Sequence, residues 1–326
     1  MLNADFALAD PAADELIAAV GIPPGDVSKL QKGEIISFKV SEPTAKSLAS
    51  GIAMYVKAPP AKLVELVKRG SLLANDPDVS THGDLAAGAG PEAFKKFAYG
   101  TAQADEAKEL LDVKADSDFN LSSQEIASFQ ALRVGLDQGN GKAVADMVSG
   151  NYRTVLAARL KAYQQNGLKG VAPYDRGNGE KADPEAELTT DAQQNKVLPR
   201  YFPEFQKALM RFPSALPAGT ESQFFWINRK VQDRPTPILT HRLTYTLNDS
   251  AVMVQREFYV GHSYNSSQAV FGSLPYLDGS LVMYGLRSST DQVAGMGQSL
   301  KHSIGREQLN KEIIKKFQRL KALLKG

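Results

Sequence analysis

The stretch that decides the fold is ILTHRLTYTLNDSAVMVQREFYVG, from Ile238 to Gly261. Apolar and polar residues alternate along its first half, with the period of two that a half-buried strand imposes. Its second half, from Ala251 onward, alternates again, apart from Arg256 on the apolar side. Asn248 to Ser250 supplies a turn, because Asn and Asp tolerate left-handed backbone and hydrogen-bond to their own main chain. The sequence therefore predicts an antiparallel hairpin.

Strict alternation also assigns a face to each side chain of this hairpin. On the first strand it places His241 on the apolar side. On the second strand it groups Arg256 with Phe258 and places Tyr259 on the opposite side. A shift of one residue exchanges the two sides, so every facing depends on an uninterrupted strand.

Further strands and one long helix surround the hairpin. The runs Gln223 to Asn228, Gln268 to Leu274 and Ser280 to Arg287 each alternate over a short length. Several short strands joined by short turns favour one antiparallel sheet. From about Ser289 apolar residues recur at helical spacing, which predicts a long C-terminal helix. Glycines inside that stripe favour a bend or a break near Ile304-Gly305.

Upstream, the chain reads SLASGIAMYVKAPPAKLVELVKRG from Ser47 to Gly70. This pattern predicts a strand that ends at an Ala-Pro-Pro step and continues into a short helix. The stretch resembles the opening of the START and Bet v 1-like (SRPBCC) superfamily, which has the helix-grip fold. The resemblance covers about 47–70 and the topology of 221–324. It implies a strongly bent antiparallel sheet that grips a long C-terminal helix and leaves an apolar cavity between the two.

The middle of the chain, 71–220, is expected to be a mostly helical insertion. Ser122 and Glu125 have the spacing of a capping box at a helix start. The Pro- and Gly-containing stretches are too short to be domain linkers. We therefore predict one elaborated α+β domain, a bent antiparallel sheet packed on a long C-terminal helix. Its parts are the helix-grip-like core, 47–70 and 221–326, and the insertion, all within 1–326.

Composition narrows the classes of function. A formal net charge of +2, with acidic and basic residues interleaved, leaves no broad basic field for nucleic acid. No run of about eighteen apolar residues occurs, and no signal peptide is visible. The absence of cysteine excludes disulfides and thiol catalysis. We expect a bacterial envelope or periplasmic protein whose leader is absent from this chain, with a cytoplasmic location as the alternative.

Polar side chains on an otherwise apolar sheet are the candidate ligand-binding residues. They are His241, Arg256, Tyr259, Tyr284 and Arg287 on the strands, and Tyr174 and Arg176 in the loop after a long helix. They suit a ligand with an anionic or hydroxylated head and an apolar body. The alternative is a hydrogen-bonded core histidine with structural ion pairs. The four histidines are scattered without metal-ligand spacing, so neither a metal site nor a cofactor is expected.

The leading hypothesis is a non-catalytic binding or carrier protein for an apolar or amphipathic small molecule such as a lipid. The cavity would lie between the sheet and the C-terminal helix. The second hypothesis is an enzyme in the same cavity, with His241 or His262 as general base and Arg256 or Arg287 steadying an anion. The third is an envelope structural or interaction protein with a filled core. The lysines of the C-terminal helix indicate a solvent-exposed face, with transient membrane contact as an alternative. The oligomeric state stays open.

Overall fold

The chain folds into a large antiparallel sheet with helices on both faces. The computed structural model describes residues 12–116 and 118–324. The strands are β1 (Ile35–Phe38), β2 (Ser47–Val56), β3 (Val79–Leu85), β4 (Tyr174–Asp175), β5 (Lys181–Ala182), β6 (Thr220–Val231), β7 (Arg234–Leu247), β8 (Ser250–Val260), β9 (Ser266–Tyr276) and β10 (Gly279–Ser289). The helices are α1 (Ala13–Ala19), α2 (Pro24–Gln31), α3 (Pro60–Lys68), α4 (Ser71–Ala74), α5 (Ala104–Leu111), α6 (Ser123–Ala131), α7 (Gly141–Asn166), α8 (Pro184–Gln193), α9 (Leu198–Tyr201), α10 (Pro203–Arg211) and α11 (Gln298–Leu323).

Eight strands form one sheet, in the order β1-β2-β10-β9-β8-β7-β6-β3. Every neighbouring pair is antiparallel. The predicted hairpin is confirmed as β7 and β8. The predicted class, an antiparallel sheet packed on a long C-terminal helix with a helical insertion, is also confirmed. Because β2 lies between β1 and β10, strands from the two ends of the chain meet in the sheet.

A β-bulge divides the β7–β8 hairpin into two parts. Leu239 pairs with Tyr259, but the next residue of β7, Thr240, pairs with Glu257. The extra residue on β8 shifts the alternation of its side chains. Tyr259 therefore lies on the same face as Arg256, and the prediction that places them on opposite faces is wrong.

We call the face covered by α3 and α11 the helix face. Its apolar core combines residues of β2, β8, β9 and β10 with residues of the two helices: Ile52, Met54, Val56, Leu63, Val67, Met253, Phe271, Val282, Ile313, Phe317 and Leu320. The ring of Phe317 packs against that of Tyr284, with 5.2 Å between the ring centroids. Side chains of α11 therefore fill the centre of the helix face.

Helix α11 continues through Gly305, so the predicted break near Ile304-Gly305 is wrong. A Cβ atom at Gly305 would lie 2.9 Å from Cδ1 of Leu48 on β2. That distance is shorter than carbon atoms tolerate, so a side chain here would require Leu48 to move.

We call the opposite face the insertion face. Helices α5 to α8 cover its β6–β8 side, where Trp226 and Tyr259 belong to the largest apolar cluster. Helices α9 and α10 cover the ends of β7 and β8, and α1 and α2 cover β2, β9 and β10. The predicted capping box is confirmed, since Ser122 accepts from the backbone N–H of Glu125 at the start of α6.

The insertion leaves and re-enters the sheet at one edge. Strand β3 pairs with β6, and residues 86–219 connect them. The range 71–220 is therefore mostly helical but includes one strand of the sheet. Residues of β3 alternate between half-buried and exposed, as an edge strand does. In the described residues no helix is long and apolar enough to cross a membrane.

Candidate functional site

An apolar pocket of about 380 Å³ lies on the insertion face, over β8, β9 and β10. Helix α1, the segment after β1, the segment between α8 and α9, and Phe202 enclose it. Its apolar walls come from three strands and the surrounding helices: Leu16, Val20, Val40, Val197, Phe202, Val252, Val270, Leu274 and Met283. A mostly apolar cleft of this size with few polar groups is typical of small-molecule sites.

Glycines on neighbouring strands form the floor of this pocket. Gly285 on β10 and Gly272 on β9 line the pocket, whereas Gly51, which pairs with Gly285 across β2 and β10, does not. The ring of Phe38 occupies the space above Gly51, and Val40 lies over Gly285. A Cβ atom at Gly272 would meet nothing within 4 Å. The space above Gly272 is therefore open, because that residue has no side chain to fill it.

Arg287 forms the polar end of the pocket. Its Nε donates to the carbonyl oxygen of Ser41, and Nη2 donates to Oγ of Ser41 and to the carbonyl oxygen of Gln194, at 3.0, 3.1 and 3.2 Å. A longer hydrogen bond of 3.4 Å joins Nη1 to the carbonyl oxygen of Asp191. Burial lowers the pKa of Arg287. One guanidinium thus ties together both segments that border the pocket.

A row of side chains crosses the insertion face beside the pocket. It runs from β6 to β10 through directly paired residues: Phe224, His241, Arg256, Gln268 and Arg287. Helix α7 covers this row, and Tyr163 stacks on Phe258 at 4.0 Å between ring centroids. The row contains three of the predicted site residues, of which Arg287 lines the pocket.

Hydrogen bonds engage both ring nitrogens of His241. Its Nδ1 is 3.0 Å from the Tyr163 hydroxyl, which also accepts from Nη1 of Arg256 at 3.2 Å. Its Nε2 is 3.0 Å from Oγ of Ser222. Burial, and then the charge of Arg256, lower the pKa of His241 well below its usual value. The imidazole is neutral, and its basic nitrogen is already occupied.

Arg256 is a buried cation with neutral partners. It is 1% exposed, and its Nε and Nη2 donate to Oε1 of Gln268 at 3.1 and 3.0 Å. Buried charges are normally paired with an opposite charge. The carboxyl group of Asp191 interacts electrostatically with both Arg287 and Arg256. Asp191 is 1% exposed, and its Oδ2 has no hydrogen-bond partner.

Three of the other predicted site residues, Tyr259, Tyr174 and Arg176, do not line the pocket. The Tyr259 hydroxyl is 2.8 Å from that of Tyr152, and Tyr174 donates to the carbonyl oxygen of Asn265. Arg176 forms an ion pair with Asp291 at 3.0 Å and also donates to the side chains of Asn120 and Asn265. These contacts join the insertion to the sheet. Tyr284 is among the pocket residues, but its ring packs on Phe317 at the helix face.

A second pocket of about 850 Å³ lies between α11 and the β1–β2 edge of the sheet. Most of its lining is polar or charged: Ser37, Lys39, Ser41, Glu42, Ser50, Ser303, Arg306, Glu307 and Asn310. Arg306 binds both carboxylate oxygens of Glu42 across it. This groove is on the side of the sheet where the sequence predicts an apolar cavity, and Phe38, Val40 and Ala49 also line it.

None of the four histidines, all of which are described, lines either pocket. Within the described residues, no group of three His, Cys, Asp or Glu side chains could hold a metal ion. Sequence reasoning missed the two lining glycines, Gly272 and Gly285. Glycine in the interior of a strand is the signal that could have found them, because it often marks close approach of a ligand or another chain segment.

The resemblance of 47–70 to the START and Bet v 1-like superfamily stays a prediction. In its support, β2 ends just before Ala58-Pro59-Pro60 and α3 follows at once. The strand also pairs with β10, which leads into α11. Comparison of the chain with protein-family models, with curated proteins and with solved structures finds no match.

Proposed function

We propose that this protein binds an apolar or amphipathic small molecule, without catalysis, in the apolar pocket of the insertion face. The open space above Gly272 carries the proposal. A valine or isoleucine at that position would fill the space and suit a strand better. Glycine keeps a cleft open in the middle of the sheet.

The proposed site and the site predicted from the sequence lie on opposite faces of the sheet. The sequence predicts a cavity between the sheet and the C-terminal helix. There, Ile313, Phe317 and Leu320 pack directly on residues of β2, β9 and β10. The apolar pocket lies on the other face, under α1 and the segment between α8 and α9. These shorter elements could move without disturbing the core of the helix face.

Binding is favoured over the enzymatic alternative by the position and state of the histidines. His241 is neutral, lies in the row under α7 and already uses both ring nitrogens. His262 is within hydrogen-bond distance of Thr236 and Ser263, and burial lowers its pKa to about 4. A general base needs a free nitrogen near the substrate. Neither residue has one in the pocket.

The test is to fill the pocket with a side chain. In Gly272→Phe, the new ring would enter open space from an extended strand, so the fold should remain intact. We expect binding of a neutral solvatochromic dye such as Nile red to fall at least about tenfold, since the ring occupies volume that the ligand needs. Native mass spectrometry of the purified protein would show any copurified apolar adduct lost in the variant.

The matched control is Gly90→Phe. Gly90 is exposed, has φ −88° and also has nothing within 4 Å of a Cβ position, but it lies away from the pocket. Dye binding should be the same as in the wild type. If Gly272→Phe folds and binds the dye as tightly as the control, the proposed function is wrong.

A further inference from the structure

The rim of the apolar pocket is positively charged. Lys39, Lys196 and Arg287 line it, and no carboxylate does so in the described part of the chain. The two lysines are exposed and form no ion pair with any described residue. The whole chain has a formal net charge of only +2, so three cations without carboxylates in one lining are a local excess. Such a field favours an anion.

Arg287 supplies a directional donor at this rim. Its hydrogen bonds within the described residues go to uncharged oxygens of Ser41, Asp191 and Gln194. Nη1 carries two N–H groups and donates one of these bonds, so the other is left for a ligand. The nearby Asp191 carboxyl forms no ion pair with Arg287. The guanidinium is therefore partly buried and held in place, and it forms no ion pair with a carboxylate of the described residues.

From this arrangement we infer that the ligand is an amphipathic anion. Its carboxylate, sulfate or phosphate group binds at Arg287 with Lys39 and Lys196 nearby, and its apolar body lies over Gly272. This inference rests on the proposed function and adds the chemical class of the ligand. Guanidinium suits such heads, because it presents N–H donors in the plane of a carboxylate or phosphate.

A matched ligand pair tests the inference. Decanoate and decanol share one apolar chain and differ in the charge of the head. By calorimetry below their aggregation limits, the wild type should bind decanoate at least about tenfold more tightly, as expected for a charge-assisted hydrogen bond. Arg287→Gln should abolish this preference and leave decanol binding in place. Arg133→Gln, which changes an exposed arginine paired with Asp112, should retain it.

A second variant guards against a folding defect, because Arg287 also holds the pocket segments. The double change Lys39→Gln with Lys196→Gln alters exposed side chains only. It should weaken decanoate binding a few-fold at low salt, and the difference should vanish near about 1 M salt, where charges are screened within a few ångströms. Decanol binding should not change.

The outcomes separate this inference from the proposed function. If the wild type binds decanoate and decanol equally, the ligand is not selected by charge and the inference is wrong, while a binding pocket remains. If neither ligand binds, and Gly272→Phe leaves dye binding unchanged, the pocket itself is not a binding site. If Arg287→Gln loses decanol binding as well, the double lysine variant is the test of the inference. Unchanged decanoate binding by that variant at low salt would mean that the inference is wrong.

Discussion

The buried Asp191 carboxyl should make the protein less stable as the pH rises. Burial, opposed by Arg287 and Arg256 and reinforced by Glu187, raises the pKa of Asp191 from 3.8 to about 7. The unfolded chain thus releases this proton at about pH 4, whereas the folded chain holds it to about pH 7. Between these values the folded state binds more protons. The contribution of Asp191 to the free energy of unfolding therefore falls with rising pH in that window and is flat outside it.

The magnitude follows from the size of the shift. A difference of about three pKa units, at about 1.4 kcal/mol per unit, corresponds to about 4 kcal/mol between about pH 4 and pH 8. Asp191→Asn removes the titration and keeps the shape of the side chain. The variant should match the wild type at about pH 4 and be more stable by about 2–4 kcal/mol at about pH 8. The larger value is an upper limit, because water reaching the group would reduce it.

The measurement is urea denaturation, with the fluorescence of Trp226 as the signal of unfolding. This is the single tryptophan of the chain, and it is 1% exposed in the folded protein. All other titrating groups are common to both proteins, so the difference between their stability curves isolates Asp191. The control Glu180→Gln changes an exposed carboxylate and should run parallel to the wild type. If Asp191→Asn also runs parallel at every pH, the carboxyl group does not have the raised pKa argued above.

Two further predictions concern the stability of the fold: one tests a buried ring and the other a buried ion pair. Phe317→Ala should lower the free energy of unfolding by about 3–5 kcal/mol, because the ring is buried at the centre of the helix face and would leave a cavity. Chemical denaturation measures this change. A loss below about 1 kcal/mol would mean that the packing of α11 adds little to stability. Glu125→Gln keeps a residue suited to the capping box but leaves the buried Arg159 without its opposite charge. It should lower the free energy of unfolding by about 3–5 kcal/mol. The control Asp146→Asn breaks the exposed pair with Lys142 and should lower it by less than about 1 kcal/mol. Similar losses in the two variants would contradict the burial argument.

The fold could be predicted where its signals are local. Alternation alone identifies β7 and β8, and the capping box of α6 needs only Ser122 and Glu125. The bulge opposite Thr240 could not be predicted, because one added residue leaves no mark in the composition. Strand β3 was missed because an edge strand with half-exposed residues, VSTHGDL, has no apolar face to detect. At Gly305, α11 packs close to Leu48, which is distant in sequence, so this packing leaves no local signal.

The site was harder to predict than the fold. His241, Arg256 and Arg287 lie on one face of the sheet, whereas the ring of Tyr284, which the sequence groups with them, packs on Phe317 at the other face. Strand polarity cannot tell that α7 covers His241 and Arg256 and leaves Arg287 beside open space, since that depends on where the insertion packs. The glycine floor carries no chemistry of its own, so a search for functional side chains passes over it. Empty volume is a property of the assembled sheet, although Gly272 within a predicted strand is a usable sign of it.

The position of β2 has a consequence for how the chain is made. Its partner β10 begins at Gly279, more than two hundred residues later, so β2 can pair on one side only with β1 while synthesis continues. Strands β6 to β10 form a meander that can assemble from neighbours in sequence, whereas closing the sheet must wait for the last strand. We expect nascent chains that lack β10 to expose the edge of β2 and to need protection from aggregation. On the ribosome, this sheet cannot be completed until β10 has been synthesised.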